Sequence, residues 1–212
     1  MRKSLTFGAA LFACAALANA SLIATLSSET PVGSNFAFNY SATVTADERL
    51  DPAATDGATC PGPGNTEVPC DPPGTFFTIY DIPGFVSASV STPGWTETSQ
   101  LIGITPSTIN GTSFDSPTIM NVTFMYAGPV VTGPASFSGF TITSSDAGIN
   151  LDGHFTSQST NNVGSDAGTT AQLSSSVAVP QATTTTPEPD SWLLLAAGFT
   201  LAAAGMWRRA RT

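Results

Sequence analysis

The chain has 212 residues, of which 41% are hydrophobic and 10% charged, and its formal net charge at pH 7 is −9. Residues 21–186 carry thirteen acidic residues against a single base, Arg49, a net charge of −12 for that stretch. Because such a surface repels phosphate backbones, we expect no nucleic-acid partner.

The first twenty residues have the pattern of a secretory signal peptide. An Arg-Lys pair precedes an uncharged run from Leu5 to Leu17, and an Ala-Asn-Ala triplet follows. This pattern predicts signal cleavage after Ala20, with Ala18 and Ala20 as the small residues of the cleavage site. An uncleaved anchor is the alternative, although the run is shorter than the roughly 20 residues that a membrane span requires.

From Leu22 onward, hydrophobic residues alternate with polar ones, most regularly between Phe36 and Val44. Period two is typical of strands with one buried face. Turn-forming pairs such as Pro83-Gly84 and Asn110-Gly111 separate these runs. Nine strands are predicted: Leu22 to Leu26, Phe36 to Thr45, Phe76 to Ile82, Phe85 to Ser91, Thr98 to Ile104, Ile119 to Tyr126, Phe137 to Thr143, Leu151 to Gln158 and Ala171 to Val179.

Nine short strands with polar outer faces predict an all-β fold. We expect an antiparallel β-sandwich over residues 21–180, with a barrel as the alternative. The sandwich is the single exported domain, and the only helices expected are the N-terminal signal helix and one transmembrane helix near the C-terminus.

The alternation stops between Arg49 and Pro73, where proline, glycine and acidic residues predict an exposed loop. Cys60 and Cys70 flank the tip of this loop. Two cysteines in an exported chain predict a disulfide, because the periplasm is oxidising. Metal binding by the pair is not expected, since no histidine or further cysteine accompanies it.

Candidates for catalysis are few. His154 is the only histidine, and it falls on the polar face of a predicted strand together with Asp152 and Thr156, while residues 151, 153 and 155 face inward. No nucleophile motif accompanies it. We therefore interpret His154 as an exposed strand residue and expect neither catalytic residues nor a cofactor.

Acidic residues suggest two further hypotheses. A glycosidase could use Asp47 with Glu48, or Asp81 with Asp115, if either pair met in space. The stretch from residue 146 to 153 alternates oxygen donors as a calcium loop does, but Gly148 breaks the EF-hand pattern. A hairpin turn is expected there and no metal site, with weak calcium binding between loops of this acidic surface as the alternative.

The C-terminal region has the composition of a membrane anchor. A Thr- and Pro-rich linker, residues 181–190, precedes an uncharged run from Ser191 to Trp207. As a helix this run would cover roughly 25 Å, barely enough for a hydrocarbon core of about 30 Å. Residues 208–212 follow as a basic tail, with Arg208, Arg209 and Arg211. Their charge predicts a cytoplasmic tail, with all that precedes the helix exported.

The order of these parts resembles a known sorting signal. Pro187-Glu188-Pro189, a short polar step, one apolar helix and a terminal arginine cluster are similar to the PEP-CTERM signal of Gram-negative bacteria, over the last 26 residues. The segments GTFFTIYDIPGF and FSGFTITSSDAG more loosely resemble the β domain commonly found ahead of such tails, which implies the same fold.

The resemblance implies a partner and a destination. In that family an exosortase, a membrane-embedded cysteine protease-transpeptidase, removes the helix near the tripeptide. Family members are typically surface or matrix proteins of bacteria that make exopolysaccharide. Because an outer membrane accepts closed β-barrels and not lone apolar helices, a surface protein has to lose this segment. A permanent inner-membrane anchor, with its domain in the periplasm, is the alternative.

Two functions remain open for the exported domain. The first is a non-enzymatic structural or adhesive component of an exopolysaccharide or biofilm matrix. The second is a surface carbohydrate-binding module or glycoside-active enzyme, with carboxylates and Trp95 in a cleft between loops. The second requires two acids and an exposed aromatic side chain in one groove, whereas the first is compatible with scattered acids and a buried Trp95.

Overall fold

The computed structural model describes residues 21–53, 58–61, 67–70 and 74–182, and within these ranges the chain forms fourteen strands and no α-helix. The strands are β1 Leu22–Val32, β2 Asn35–Val44, β3 Glu48–Leu50, β4 Ala58–Pro61, β5 Glu67–Cys70, β6 Phe76–Ile82, β7 Phe85–Val90, β8 Trp95–Gln100, β9 Thr105–Pro106, β10 Met120–Tyr126, β11 Val131–Thr132, β12 Ala135–Ser144, β13 Ile149–Asn161 and β14 Thr170–Pro180. Two short 3-10 helices cover Gly111–Ser113 and Gly164–Asp166.

The strands form three sheets. The first has the order β1-β2-β12-β7, the second the order β11-β3-β13-β6-β10-β8 with β14 also paired to β13, and the third the order β5-β4-β9. Every pairing is antiparallel. The prediction of an all-β, antiparallel fold is therefore confirmed.

Side chains of the first and second sheets form one hydrophobic core. Phe38 and Phe140 come from the first sheet and Phe77 and Phe124 from the second, and all four are completely buried. The ring centroid of Phe140 lies 5.1 Å from those of both Phe77 and Phe124, with the rings in edge-to-face orientation. A core shared by two sheets is what a sandwich requires.

The strand predictions differ most from the structure where alternation was weak. The predicted strand from Thr98 to Ile104 is wrong in its second half, because β8 ends at Gln100 and the chain leaves the sheet. The stretch predicted as a loop contains β4 and β5 and begins within β3. These strands have only three or four residues, too few for period two to show.

The second sheet is also buried on the face that points away from the core, although the sequence predicts polar, exposed outer faces. Thr78, Thr123 and Thr156 on that face have no exposed surface. Segment 101–119 lies over them, and Thr78 Oγ1 donates to the carbonyl of Ile104 at 2.6 Å. The hydroxyls of Thr78 and Thr123 also lie 2.8 Å apart. Such pairing offsets the cost of burying hydroxyl groups.

None of the helices in the described ranges has the length and apolar character needed to cross a membrane. Four predicted segments lie wholly or mostly outside the described residues: the signal peptide (1–20), most of the linker, the apolar run (191–207) and the basic tail (208–212). The tripeptide at 187–189 and the three arginines lie outside them as well, so these assignments stay predictions.

Candidate functional site

A half-open pocket of about 280 Å³ lies where β6 ends, β13 begins and segment 101–119 returns to the second sheet. Polar and aromatic side chains both line it: Tyr80, Asp81, Phe114, Asn150, Asp152 and His154. Pockets that combine apolar walls with a few polar groups are typical of ligand sites.

Asp81 enters the pocket from a β-bulge in β6. Between the pairs Ile82–Met120 and Ile79–Val122, β6 has one residue more than β10. Asp81 itself has a φ of 50°, the only positive φ at a non-glycine position among the described residues. Bulges and left-handed non-glycine residues cost backbone energy and occur preferentially next to functional sites.

Two hydrogen bonds hold Asp81 in this conformation. Its N–H donates to Oδ1 of Asn121 at 2.7 Å, and the N–H of Ser116 donates to Oδ1 of Asp81 at 3.0 Å. Burial raises the pKa of the Asp81 carboxyl, and the Ser116 bond opposes that rise. The strained backbone is therefore held by Asn121 of β10 and by Ser116 of segment 101–119.

A second bulge, in β13, forms the opposite wall. Between the pairs Asn150–Val179 and Gly153–Val177, β13 has one residue more than β14. The prediction that Leu151 faces inward is wrong, since 72% of that side chain is exposed. The extra residue in the bulge interrupts the alternation of inward- and outward-facing side chains on which the prediction depended.

Asp152 lies within the same bulge, and its N–H donates to Oδ1 of Asn150 at 3.0 Å. The next residue has to be glycine, because a Cβ on Gly153 would lie 2.5 Å from both Cγ atoms of Val179. A glycine inside a strand pattern is a signal for a bulge or a close approach. That signal could have located this wall of the pocket from the sequence.

His154 is half-buried rather than exposed as predicted. Its ring stacks on Phe114 with centroids 3.8 Å apart, and the ring of Tyr80 meets Phe114 edge-on at 4.8 Å. Burial lowers the pKa of His154, so the imidazole is neutral at pH 7. Sequence reasoning missed Phe114 and Tyr80 as neighbours of this histidine.

Nε2 of His154 lies 2.8 Å from Oγ of Ser174, a contact of the kind found between a nucleophile and its base. A Ser-His-Asp arrangement also needs a carboxylate that orients the imidazole through Nδ1. Within the described ranges no carboxylate forms that hydrogen bond. Within the described ranges, the Ser174–His154 pair therefore lacks the third member of such an arrangement.

Tyr80 connects the pocket to the buried polar layer beneath segment 101–119. Its hydroxyl lies 2.8 Å from the hydroxyls of both Thr105 and Thr156, and it donates to the carbonyl of Ile104 at 3.1 Å. Burial raises the pKa of the Tyr80 phenol. Thr156, predicted on an exposed face with His154, is thus part of the interior.

The structure brings Asp115 close to Asp81, but Asp115 has a structural role. Its Oδ2 accepts from the N–H of Gly103 and its Oδ1 from Nδ2 of Asn121, both at 2.8 Å. Only 8% of the side chain is exposed. Asp115 therefore fastens segment 101–119 to the sheet, and it does not line the pocket.

The other acid pair does not form a cleft. Asp47 is exposed, whereas Glu48 is completely buried and its Oε2 accepts from Oγ of Ser159 at 2.5 Å. Oε1 of Glu48 has no hydrogen-bond partner among the described residues. Burial raises the pKa of the Glu48 carboxyl.

Trp95 is 5% exposed and lies in the core, with its ring centroid 5.0 Å from that of Phe140 and 5.2 Å from that of Tyr126. The hypothesis that Trp95 lines a sugar cleft is therefore wrong. An aromatic residue next to a turn is as well suited to packing inside a sandwich as to a binding surface, so its sequence position was not informative.

Cys60 is disulfide-bonded. It lies on β4, where it pairs with Val68 of β5, and Ala58, two residues earlier on β4, pairs with Cys70. The side chain of Cys70 lies outside the described residues, so the predicted pairing of the two stays a prediction.

The stretch considered for calcium does not form a hairpin. It connects β12 of the first sheet with β13 of the second, so the predicted hairpin turn is wrong. In the part of the chain that the structure describes, no group of three or more His, Cys, Asp or Glu side chains is placed to hold a metal ion.

Comparison with known proteins gives no relative: no protein-family model, no curated protein and no solved structure matches the chain.

Proposed function

We propose that the protein is exported, sorted by its C-terminal tail and released at the cell surface or into the extracellular matrix. There it acts as a non-enzymatic structural or adhesive component associated with exopolysaccharide. One observation carries the proposal: Pro187-Glu188-Pro189, a 17-residue uncharged run and a terminal arginine cluster follow one another in a chain that begins with a signal-peptide pattern. The partner is an exosortase-type protease-transpeptidase, and contact with the membrane is transient.

Properties of the described domain support this proposal. The disulfide bond at Cys60 fits an oxidising compartment such as the periplasm or the cell exterior. The acidic composition of residues 21–186 keeps such a domain soluble outside the cell.

The proposal is tested by the intact mass and C-terminal peptide map of the protein isolated from its own host. We expect a chain that begins at Ser21 and ends near Pro189. A variant with Pro187→Ala, Glu188→Ala and Pro189→Ala is expected to keep its apolar run and stay in the inner membrane.

The matched control carries three alanines in the adjacent linker, at Thr184, Thr185 and Thr186. It is expected to be processed as the wild type is. A full-length wild-type chain in the inner membrane, unaffected by the tripeptide substitutions, would mean a permanent anchor and a periplasmic domain.

A second candidate function is carbohydrate binding, and the pocket favours it. Although Trp95 is in the core, two carboxylates and a half-buried aromatic ring, Phe114, line one groove. Carboxylates accept hydrogen bonds from sugar hydroxyls, and aromatic rings pack against the apolar face of a sugar ring.

Cosedimentation with exopolysaccharide from the host tests this second function. Phe114→Ala is expected to weaken cosedimentation, whereas Val130→Ala, at a side chain that is 56% exposed, leaves it unchanged. Thermal unfolding of both variants checks that they are folded. Equal cosedimentation of a folded Phe114→Ala variant and the wild type would exclude the pocket as the sugar site.

A further inference from the structure

The pocket holds carboxylate oxygens that the protein itself does not use. Asp81 accepts through Oδ1 from Ser116, and no described residue donates to its Oδ2. The carboxylate of Asp152 has no donor among the described residues either, since the bond between Asp152 and Asn150 uses the backbone N–H. Asp81 is half-buried, whereas Asp152 is exposed at the rim of the pocket. A half-buried carboxylate oxygen without a donor, as in Asp81, favours a ligand that supplies one, and the exposed Asp152 adds negative charge beside it.

The charges around these carboxylates determine whether the pocket favours a cationic or an anionic ligand. No basic side chain lines the pocket. Arg49, the one base among the described residues, forms an ion pair with Asp51 at 3.0 Å. His154 adds no positive charge at pH 7, because burial lowers its pKa. Anionic ligands are therefore disfavoured, and a cationic group would gain charge-assisted hydrogen bonds.

The aromatic and apolar walls of the pocket limit the size and shape of the ligand. Phe114 stacks on His154, and Tyr80 closes the corner edge-on, so the aromatic side of the pocket is held in place by ring contacts. Pro83 and Val179 extend the apolar surface. A volume of about 280 Å³ is at the lower limit for small-molecule sites, which is enough for one sugar-sized ring.

We propose that this pocket binds an amino sugar with a free ammonium group, with the ammonium between Asp81 and Asp152 and the ring against Phe114. The assignment rests on the second candidate function, carbohydrate binding, and names its ligand class. The acidic composition of residues 21–186 would also attract a cationic polysaccharide from solution.

The test is a titration of the full chain with small-molecule probes, in which binding is monitored by the amide chemical shifts in NMR spectra. The protein is kept in a detergent without sugar head groups, so that the result does not depend on tail processing. Glucosamine is compared with glucose, with N-acetylglucosamine and with butylammonium, at about pH 6.5, where the amines are protonated.

We expect glucosamine to bind about tenfold or more tightly than each of the other three probes, with shifts at Gly153 and His154. Asp152→Asn is expected to remove most of this preference, and Asp81→Asn to do the same. Glu97→Gln is the matched control, because it also converts a carboxylate to an amide, at an exposed position on β8 outside the pocket. It is expected to leave binding unchanged.

Three outcomes would overturn the proposal, each in a different way. Equal binding of glucose or N-acetylglucosamine would show that the ammonium is not recognised, although carbohydrate binding would stand. Equal binding of butylammonium would show that the ring contributes nothing. No pocket shifts with any sugar would remove the carbohydrate function as well. None of these results bears on sorting, which the C-terminal map tests separately.

Discussion

The two faces of β6 are both buried, but by opposite chemistry. Towards the first sheet, Phe77 and Ile79 lie in an apolar core. On the other face, the hydroxyls of Thr78 and Tyr80 are bonded to neighbouring hydroxyls and to the carbonyl of Ile104. The apolar face needs only close packing, whereas each group of the polar face needs a partner of defined geometry.

The difference explains where the pocket lies. Segment 101–119 covers the polar face and is fastened there by Asp115. At Asp81 the strand forms a bulge, and only one oxygen of the carboxylate accepts a hydrogen bond from a described residue. Asp81 and Phe114 both line the pocket. The hydrogen bonds of the buried polar layer keep the adjoining walls of the pocket rigid, as a binding site requires.

The largest expected effect concerns the apolar face. Phe140→Ala removes a ring that contacts Phe77, Phe124 and Trp95, and should lower the free energy of unfolding by about 3–5 kcal/mol. Chemical denaturation measures this loss. Val86→Ala, at a side chain that is 49% exposed on the same sheet, should change stability by less than about 0.5 kcal/mol. A similar loss in both variants would contradict the shared core.

A smaller effect is expected on the polar face. Tyr80→Phe removes one hydroxyl but leaves three buried partners without it, which should cost about 1–3 kcal/mol. Tyr126→Phe is the matched control, because the Tyr126 hydroxyl donates only to the carbonyl of Pro129. If denaturation shows equal losses in the two variants, the polar layer is not a coupled network.

A pH profile tests the buried carboxyl of Glu48, of which only one oxygen accepts a hydrogen bond from a described residue. Because burial raises the pKa of Glu48, the folded state binds its proton more tightly than the unfolded chain does. This contribution to stability is present below about pH 4.5, the ordinary pKa, and is lost as the pH rises through the folded pKa. Glu48→Gln should therefore flatten the decline in stability from pH 4.5 upward, an effect smaller than that of Tyr80→Phe.

Unfolding midpoints of wild type and Glu48→Gln over that range check the sign. A wild type that gains stability with rising pH relative to the variant would mean that the Glu48 carboxylate is stabilised in the folded state. Asp47→Asn is the control, since its side chain is exposed and should leave the profile shape nearly unchanged.

The smallest expected effect tests the bulge in β13. Leu151→Ser should change the free energy of unfolding by less than about 0.5 kcal/mol, because 72% of the side chain is exposed. If Leu151 faced inward, as the alternation predicts, the loss of a buried leucine would cost about 2 kcal/mol or more. Denaturation of this single variant therefore decides between the two registers.

Sequence reasoning succeeded where one face of a strand is buried and the other is not. The strand from Phe36 shows alternation over its full length, and its structure runs from Asn35 to Val44. It failed where both faces of a strand are buried, as at Thr78. A threonine whose hydroxyl is hydrogen-bonded in the interior cannot be distinguished from an exposed threonine by its residue type. It also failed at Leu151, where one extra residue reverses the register.

The candidate site was visible in the sequence only in fragments. Asp81, Asp152 and His154 were each considered, but for catalysis and in different combinations. Phe114 was in no predicted element, and it reaches the pocket only because segment 101–119 folds back over the sheet. Trp95, the aromatic residue selected for the cleft, packs in the core instead.

By itself, the sequence determined the all-β class and most of the long strands, because side-chain alternation is a local property of each strand. It is also the source of the export and sorting predictions, which depend on composition and order in short segments at the two ends. Only the tertiary structure decided that two bulged strands and the 101–119 segment meet at one pocket. The contacts Tyr80–Phe114, Asp81–Ser116 and Phe114–His154 that build it join residues 34 to 40 positions apart. Alternation within a strand carries no information on which strands become neighbours.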